Sequence, residues 1–408
     1  MGGSVSYLNI TTSEQLQQFC EELAGCAWIG FDTEFVSEHS YRPHLCLVQV
    51  ITEGQMALID GIELTDLRPL WEAIAAPGHE TIVHAGRGEV EFCLRAVGKP
   101  PAALFDVQLA AGLIGIEYPA GFRTLIYKLL GETARKEETR TDWRRRPLTE
   151  RQIDYALDDV RYLPRLVEKL KAKLARLGRL GWLDEEMRIW LDEVEQAFHQ
   201  ERWRRVSGNS GLDRRSLALV RELWRWREAE AERRNCPVRR VLRDDLIIEL
   251  AKRQTADVKR IQAVRGLERG DLARQIPKMA ACMERALTLP DDECPPLAHR
   301  EPAPQLSVLG QFLFSALGSL CRQAQLAPSL VGTPNDIRDL IGYRTGHGTP
   351  ESPPLLARGW RAGIVGQLFD DLLAGRKSVR IANAASDSPL VFEPVEPRPE
   401  PPRTAEAE

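Results

Sequence analysis

The amino-acid sequence predicts an α/β chain in which a mixed sheet flanked by helices is followed by two all-helical units. Three observations carry that expectation. Three β-rich runs stand close together between residues 27 and 60, strand-like and helix-like patterns alternate from there to about residue 130, and from residue 183 onward only helical apolar spacing recurs.

The runs AWIGFDTEF (27–35), LCLVQVIT (45–52) and QMALID (55–60) read as a three-stranded meander, the last two joined at Glu53-Gly54. Thr65 is placed to cap a helix through about Ala76. The short apolar strand TIVHA (81–85) leads into a helix from Gly88 to Val97, and a further strand–helix step follows in LFDVQLAAGLIG (104–115). Gly121 to Leu130 reads as helical. After the charged segment 132–146, Pro147 and Thr149 open a helix expected to run through Tyr155 and Asp159 towards Leu177. Apolar positions at helical spacing (Leu217, Val220, Leu223 and Trp224, then Leu246, Ile247 and Leu250) mark the first helical unit. The expected domains are therefore 1–200, 210–290 after Asn209-Ser210-Gly211, a Pro- and acid-rich linker at 291–305, and a second helical unit at 306–380. A tail at 383–408, rich in Pro, Glu, Ser and Ala, is expected to be disordered.

Hydrophobic residues make up 43% and charged residues 28% of 408, which suits a soluble globular chain with two or three cores. The net charge of −4 excludes a molecule that is basic overall, so any polyanion site must be local. Between Glu201 and Arg243 thirteen arginines face six acids, which fits either a nucleic-acid surface or a helix laced with ion pairs. Eight scattered cysteines without a CxxC pair suit reduced thiols and a cytoplasmic protein. No apolar run approaches the ~18–20 residues that cross a bilayer, so no membrane partner is expected.

Asp32-Thr33-Glu34 closes the first strand of the meander. Residues two apart in a strand share a face, so both carboxylates project together. Paired acids near a buried strand are costly unless a cation satisfies them, and hard oxygen donors suit Mg²⁺ or Mn²⁺. Alone, the pattern more often marks a salt-bridged surface pair. Tyr155 and Asp159, one turn apart on a helix, also point together, whereas Asp158 is rotated away. A phenol beside a carboxylate can orient a water for attack, or simply steady the helix.

Taken in order, FDTEF (31–35), VHAG…E…EF (83–92), TRTDWRRRPLTERQ (139–152) and YALDDVRYL (155–163) resemble the successive motifs of the ribonuclease D family. That family comprises DEDD-type 3′-to-5′ exonucleases with a tyrosine in the last motif and an RNase H-like fold. The resemblance extends into a helical region like the helicase-and-RNase-D C-terminal (HRDC) domain at about 210–290, and LARGWRAGIVGQLFDDLL (356–373) looks like the end of a second one. It implies a hydrolase that uses two divalent ions, Mg²⁺ or Mn²⁺, on RNA with a single-stranded 3′ end, transfer RNA precursors foremost. Asp32 would be shared between both ions, Glu34 would also meet the terminal 3′-hydroxyl, Asp159 would complete the first ion's site, and Tyr155 would orient the attacking water. The remaining family carboxylate is an aspartate five residues after the histidine; here Glu89 follows His84 at that spacing, one methylene longer. Asp106, after a strand, is the alternative fourth acid, while Glu91 points elsewhere.

Nucleic acid would be held by His84, by the basic segment Arg140, Arg144, Arg145 and Arg146 with Trp143 as a stacking plane, and by Trp226 among the arginines of the first helical unit. Trp143 could instead pack a loop onto the catalytic unit, and Phe35 and Phe92 could stack terminal bases or fill the core. Two rival readings remain at this level: a non-catalytic RNA-binding module, for which Glu89 speaks, and a DNA 3′-exonuclease, since the same chemistry cleaves either backbone. The sequence sets no oligomeric state.

Overall fold

The computed structural model describes residues 6–133, 141–268, 270–297, 304–346 and 353–395. The chain opens with β1 (Leu8–Ile10) and α1 (Ser13–Leu23), which the sequence reading did not anticipate. Thr12 and Gln15 close a reciprocal capping box at the start of α1. The meander follows as β2 (Trp28–Val36), β3 (His44–Ile51) and β4 (Met56–Asp60). Then come α2 (Arg68–Ala75), β5 (Glu80–Val83), α3 (Arg87–Val97), β6 (Leu104–Asp106), α4 (Val107–Gly112) and α5 (Phe122–Leu125), which continues as a π-helical turn through Leu130. Helix α2 starts later than Thr65 suggests, after Asp66 accepts the Arg68 N–H at 2.9 Å and with Pro69 in the first turn.

The six strands lie in the order β1-β4-β3-β2-β5-β6. The meander is antiparallel, whereas β1, β5 and β6 run parallel to β4, β2 and β5, as helical crossovers require. One face, with Ile29, Phe31, Val48, Val50 and Ile59, packs against α1, α2 and α3. The other receives α6 (Glu150–Arg161) and α7 (Leu163–Arg176). A Cβ at Gly30 would lie 3.2 Å from Leu163 Cδ1, so the glycine lets α7 settle directly on β2.

The long helix expected from Thr149 is two helices. Thr149 and Gln152 do form its capping box, but the chain turns at Tyr162. Pro164 lacks the N–H that a continuous helix would need and its ring collides with the carbonyl four residues back. Helix α8 (Leu180–His199) then leads to α9 (Arg214–Arg234), the main helix of the next unit. That unit has its own core around Leu217, Val220, Leu223, Ile247, Leu250 and Met283.

Three expectations about the C-terminal half need correction. Residues 291–297, read as linker, are strapped to this core: Cys294 is buried, and Arg214 donates to the Cys294 carbonyl at 2.7 Å. The helices between 304 and 373 share one core with the α/β unit, where Leu317, Ile337, Leu340, Val365 and Phe369 join Leu109 and Leu166. Glu186 on α8 accepts from Arg361 Nη1 at 2.6 Å, Arg361 Nη2 at 2.7 Å and Trp360 Nε1 at 3.1 Å in this junction, and Trp182 stacks on Trp360. Third, the tail is ordered as far as residue 395, because β7 (Lys377–Ile381) and β8 (Leu390–Pro394) pair antiparallel; 396–408 lie outside the described residues. Among the described residues no helix is long and apolar enough to cross a membrane.

The loop between β2 and β3 is clasped by α9. Tyr41 donates its phenol O–H to Glu228 at 3.2 Å and its N–H to Asn235 Oδ1 at 3.3 Å, and Arg42 pairs with Glu232.

Candidate active site

Strand alternation places Asp32 and Glu34 on the face that receives α6, and Tyr155 and Asp159 lie one turn apart on that helix. Glu89 comes from the first turn of α3 on the other side of β2 and is buried. Thr33, between the two strand acids, donates its hydroxyl to Glu89 Oε1 at 2.6 Å. The extra methylene of Glu89 thus lies between the helix and a hydroxyl on β2.

These groups feel one another. Burial, then Glu89 and Asp159, hold the Asp32 carboxyl well above the usual carboxylate range. Burial, then Asp32 and Glu89, push Glu34 up to about 8. Burial raises Glu89 too, against the Thr33 hydrogen bond. Burial followed by Asp159, Glu34 and Asp32 pushes the Tyr155 phenol above its ordinary value, and the phenol hydrogen-bonds Asp159. Tyr155 therefore stays protonated at neutral pH and serves as a donor. Negative charge thus converges on the two strand acids, from Glu89 and Asp159 on Asp32 and from Asp32 and Glu89 on Glu34, and leaves the site short of positive charge. Among the described residues, no three His, Cys, Asp or Glu side chains are gathered tightly enough to hold a metal ion by themselves.

Asp106 is not a stand-in for the fourth acid. Its carboxylate accepts the N–H of Ala85 at 3.1 Å, Gly86 at 3.0 Å and Gln108 at 2.8 Å. It thereby holds the turn where Ala85 takes a φ of 55° and from which α3 carries Glu89. His84 engages the Ala120 carbonyl at 2.9 Å through Nε2 and lies against Phe122. Glu91 points away, to Arg87 at 3.2 Å and Arg202 at 3.6 Å. Asp158, rotated away from Tyr155 and Asp159, is buried and pairs with its helix neighbour Arg161 at 3.0 Å.

Of the residues expected to hold nucleic acid, Trp143 is corrected: it is buried, 5% exposed, and packs against Tyr155 with ring centroids 6.0 Å apart. Its role is to brace the helix that carries Tyr155. Arg146 fastens the same loop to the sheet, donating to Asp60 Oδ1 at 2.7 Å and to the Cys46 carbonyl at 2.8 Å. Arg144 is bonded to Asp142 at 2.8 Å, while Arg145 is 84% exposed and only 3.7 Å from the same acid. Arg140 lies outside the described residues. Trp226 is half-buried against the core of the α9 unit, as is Trp224. Phe92 is buried in the core, whereas its edge-on neighbour Phe35 is 40% exposed beside the strand acids. The sequence gives no sign of the part played by Thr33, because strand alternation gives it the opposite face and only the turn of α3 brings Glu89 to it, and Arg146, expected on nucleic acid, is a fastener of the loop instead.

Comparison with known proteins agrees with this architecture. Residues 7–175 match the 3′-5′ exonuclease family and residues 216–283 match the HRDC domain. Ribonuclease D of Acidiphilium cryptum (strain JF-5) is 35% identical over 384 residues, covering 92% of this chain and 94% of that protein. Ribonuclease D of Escherichia coli (strain K12) is 29% identical over 371 residues, covering 90% and 99%. The crystal structure of E. coli RNase D, described as an exoribonuclease involved in structured RNA processing, is similar with a TM-score of 0.78 at 28% identity, covering 91% of this chain and 99% of that one.

Proposed function

Because the chain belongs to the ribonuclease D family and is a hydrolytic 3′-to-5′ exoribonuclease, we propose that Asp32, Glu34, Glu89 and Asp159 hold two divalent ions, Mg²⁺ or Mn²⁺, and that Tyr155 orients the attacking water. The observation that carries this reading is the convergence of charge from β2, α3 and α6: on top of burial, Glu89 and Asp159 raise Asp32, Asp32 and Glu89 raise Glu34, and Asp159, Glu34 and Asp32 raise the Tyr155 phenol. Their hard oxygens and crowded negative charge fit divalent cations in kind. Water and substrate phosphate would supply the remaining donors, so metal affinity should rise with RNA bound. Two such ions, when present, activate water and neutralise the leaving 3′-oxygen in an in-line displacement.

The chain's own residues have separate tasks. Asp32 lies between the Glu89 and Asp159 sides of the site and would be the acid that serves both ions. Glu34, next along the same face, is placed to meet the terminal 3′-hydroxyl. Tyr155 keeps its proton, donates to Asp159 and presents its oxygen to the incoming water. Trp143 behind it limits the ring's freedom. Phe35, exposed beside these acids, offers a surface for the terminal base.

The proposed substrates are RNAs with a single-stranded 3′ tail, transfer RNA precursors and other small structured RNAs among them, released one 5′-mononucleotide at a time. Arg145 and the arginine-rich α9 unit would draw the phosphate backbone in. Eight free thiols suit action in a reducing cytoplasm. A tailed RNA incubated with Mg²⁺ or Mn²⁺ tests the reading. Mononucleotide release that stops in EDTA and in Asp32→Ala, with the fold retained, is expected; undiminished release by Asp32→Ala would overturn the site. An equal rate on a DNA tail in the same tube would remove the preference for RNA.

A further inference from the structure

Gln49 lies on β3 directly opposite Asp32 of β2, and its partner on the other side, in β4, is Leu58. Residues directly opposite in an antiparallel pair project to the same face, with Cβ atoms about 4.5–5.5 Å apart. The side chain is 0% exposed. Among the described residues neither its Oε1 nor its Nε2 has a hydrogen-bond partner. The neighbours on its face along β3 are Leu47 and Ile51, so Asp32 is the one polar side chain directly across from it in the sheet.

Folding alone does not explain a glutamine here. Buried polar groups in a native core are paired, and an unmade amide is a cost that Leu or Met at the same position would avoid. The contrast within this sheet is direct. Asp60, at the end of β4, is satisfied by Arg146 and by the backbone N–H groups of Ile62 and Glu63. A local rule broken beside a reactive cluster points to function.

We propose that Gln49 is a positioning residue for the exonuclease reaction, its amide NH₂ donating to the Asp32 carboxylate and fixing the orientation in which that carboxylate meets the divalent cations. An ionised carboxylate only accepts, and the amide carries two N–H donors. Rotation about the side-chain torsions of Gln49 spans a Cβ separation of that size without moving the sheet. Partners of this kind orient a metal ligand from behind, and their loss weakens metal binding or activity on the order of 10–100-fold.

The inference rests on the two-metal reading, and one set of measurements separates their failures. Gln49→Met keeps length and burial and removes both polar atoms. Three quantities are compared with the wild-type protein: the melting temperature in EDTA, Mn²⁺ binding by calorimetry with a 5′-mononucleotide present, and the Mg²⁺ concentration that half-activates RNA trimming. The expected result is a melting temperature equal to or above wild type, Mn²⁺ binding weakened on the order of 10-fold, and a matching rise in the Mg²⁺ requirement. A residue that serves packing alone would show the reverse. Wild-type metal affinity in Gln49→Met overturns the inference and leaves the two-metal reading standing. If Gln49→Met does not fold, Gln49→Leu carries the test, and destabilisation by both marks Gln49 as a packing residue and overturns the inference. A wild-type protein that trims RNA in EDTA and binds no Mn²⁺ overturns both.

Discussion

Replacing Glu186 by alanine should unfold the junction between the catalytic unit and the helices that follow residue 304. Glu186 and Arg361 are 9% and 4% exposed at the side chain, and the pair is bidentate at 2.6 and 2.7 Å. Removal of the acid leaves a buried guanidinium with the carbonyls of Leu330 and Val331 at 2.8 Å each and the face of Trp360, but without its carboxylate partner. Breaking one side of such a pair costs about 3–5 kcal/mol, since the remaining charge is desolvated and uncompensated. Loss of the Trp360 Nε1–H bond at 3.1 Å adds to that figure. At about 2–4 °C per kcal/mol, Glu186→Ala should lower the melting temperature by about 6–20 °C. Differential scanning calorimetry reads the shift, and the double variant Glu186→Leu/Arg361→Met supplies the control. With both charges gone, stability should return to within about 2 kcal/mol of wild type. The catalytic sheet and the helices from 304 to 373 should melt in one transition, because they share a core. A loss under about 1 kcal/mol in Glu186→Ala, or two separate transitions, would refute the reasoning.

Three further outcomes are expected. In EDTA, the raised Glu34 carboxyl favours the folded state while protonated, so stability should fall as pH rises from its ordinary 4.5 through about 8, and Mn²⁺ should reverse the loss most strongly at the alkaline end; a flat melting profile between those limits would show that the acids do not crowd. Asp106→Ala strands the N–H groups of Ala85, Gly86 and Gln108 and should cost about 3 kcal/mol or more by urea denaturation, whereas an unchanged midpoint would remove its role as the clamp behind α3. Thr33→Val, nearly isosteric, deprives Glu89 of its 2.6 Å donor and should cost about 1–2 kcal/mol at pH 7; no loss would mean that Glu89 finds another partner at once.

Much of the site is legible because its spacing is local. Two residues apart on a strand and four apart on a helix are fixed by backbone geometry, so the pairs Asp32/Glu34 and Tyr155/Asp159 could be grouped without coordinates. What those pairs meet across the fold is another matter. Nothing local says whether Trp143 turns its ring out to a base or in to Tyr155. Three residues of β1 are too few for a period, and their partner β4 lies beyond the whole meander. Helical periodicity states that the helices after residue 304 bury a face; it cannot state that the buried face lies on Leu109 and Leu166 and closes no core of its own. The tail misled through composition, because its Pro, Ser, Ala and Glu outweigh the short apolar runs in which Val379 pairs with Phe392 and Ile381 with Leu390 across β7 and β8. Pro164 carried a readable break that the continuous helical pattern around it concealed.

The clasp at Tyr41 and Arg42 ties the arginine-rich helix to the far end of the strand that bears the acids. Its contacts are mostly solvent-facing, each worth at most about 1 kcal/mol and weakened by salt. High ionic strength should therefore slacken the hold of α9 on the loop a few residues beyond Glu34.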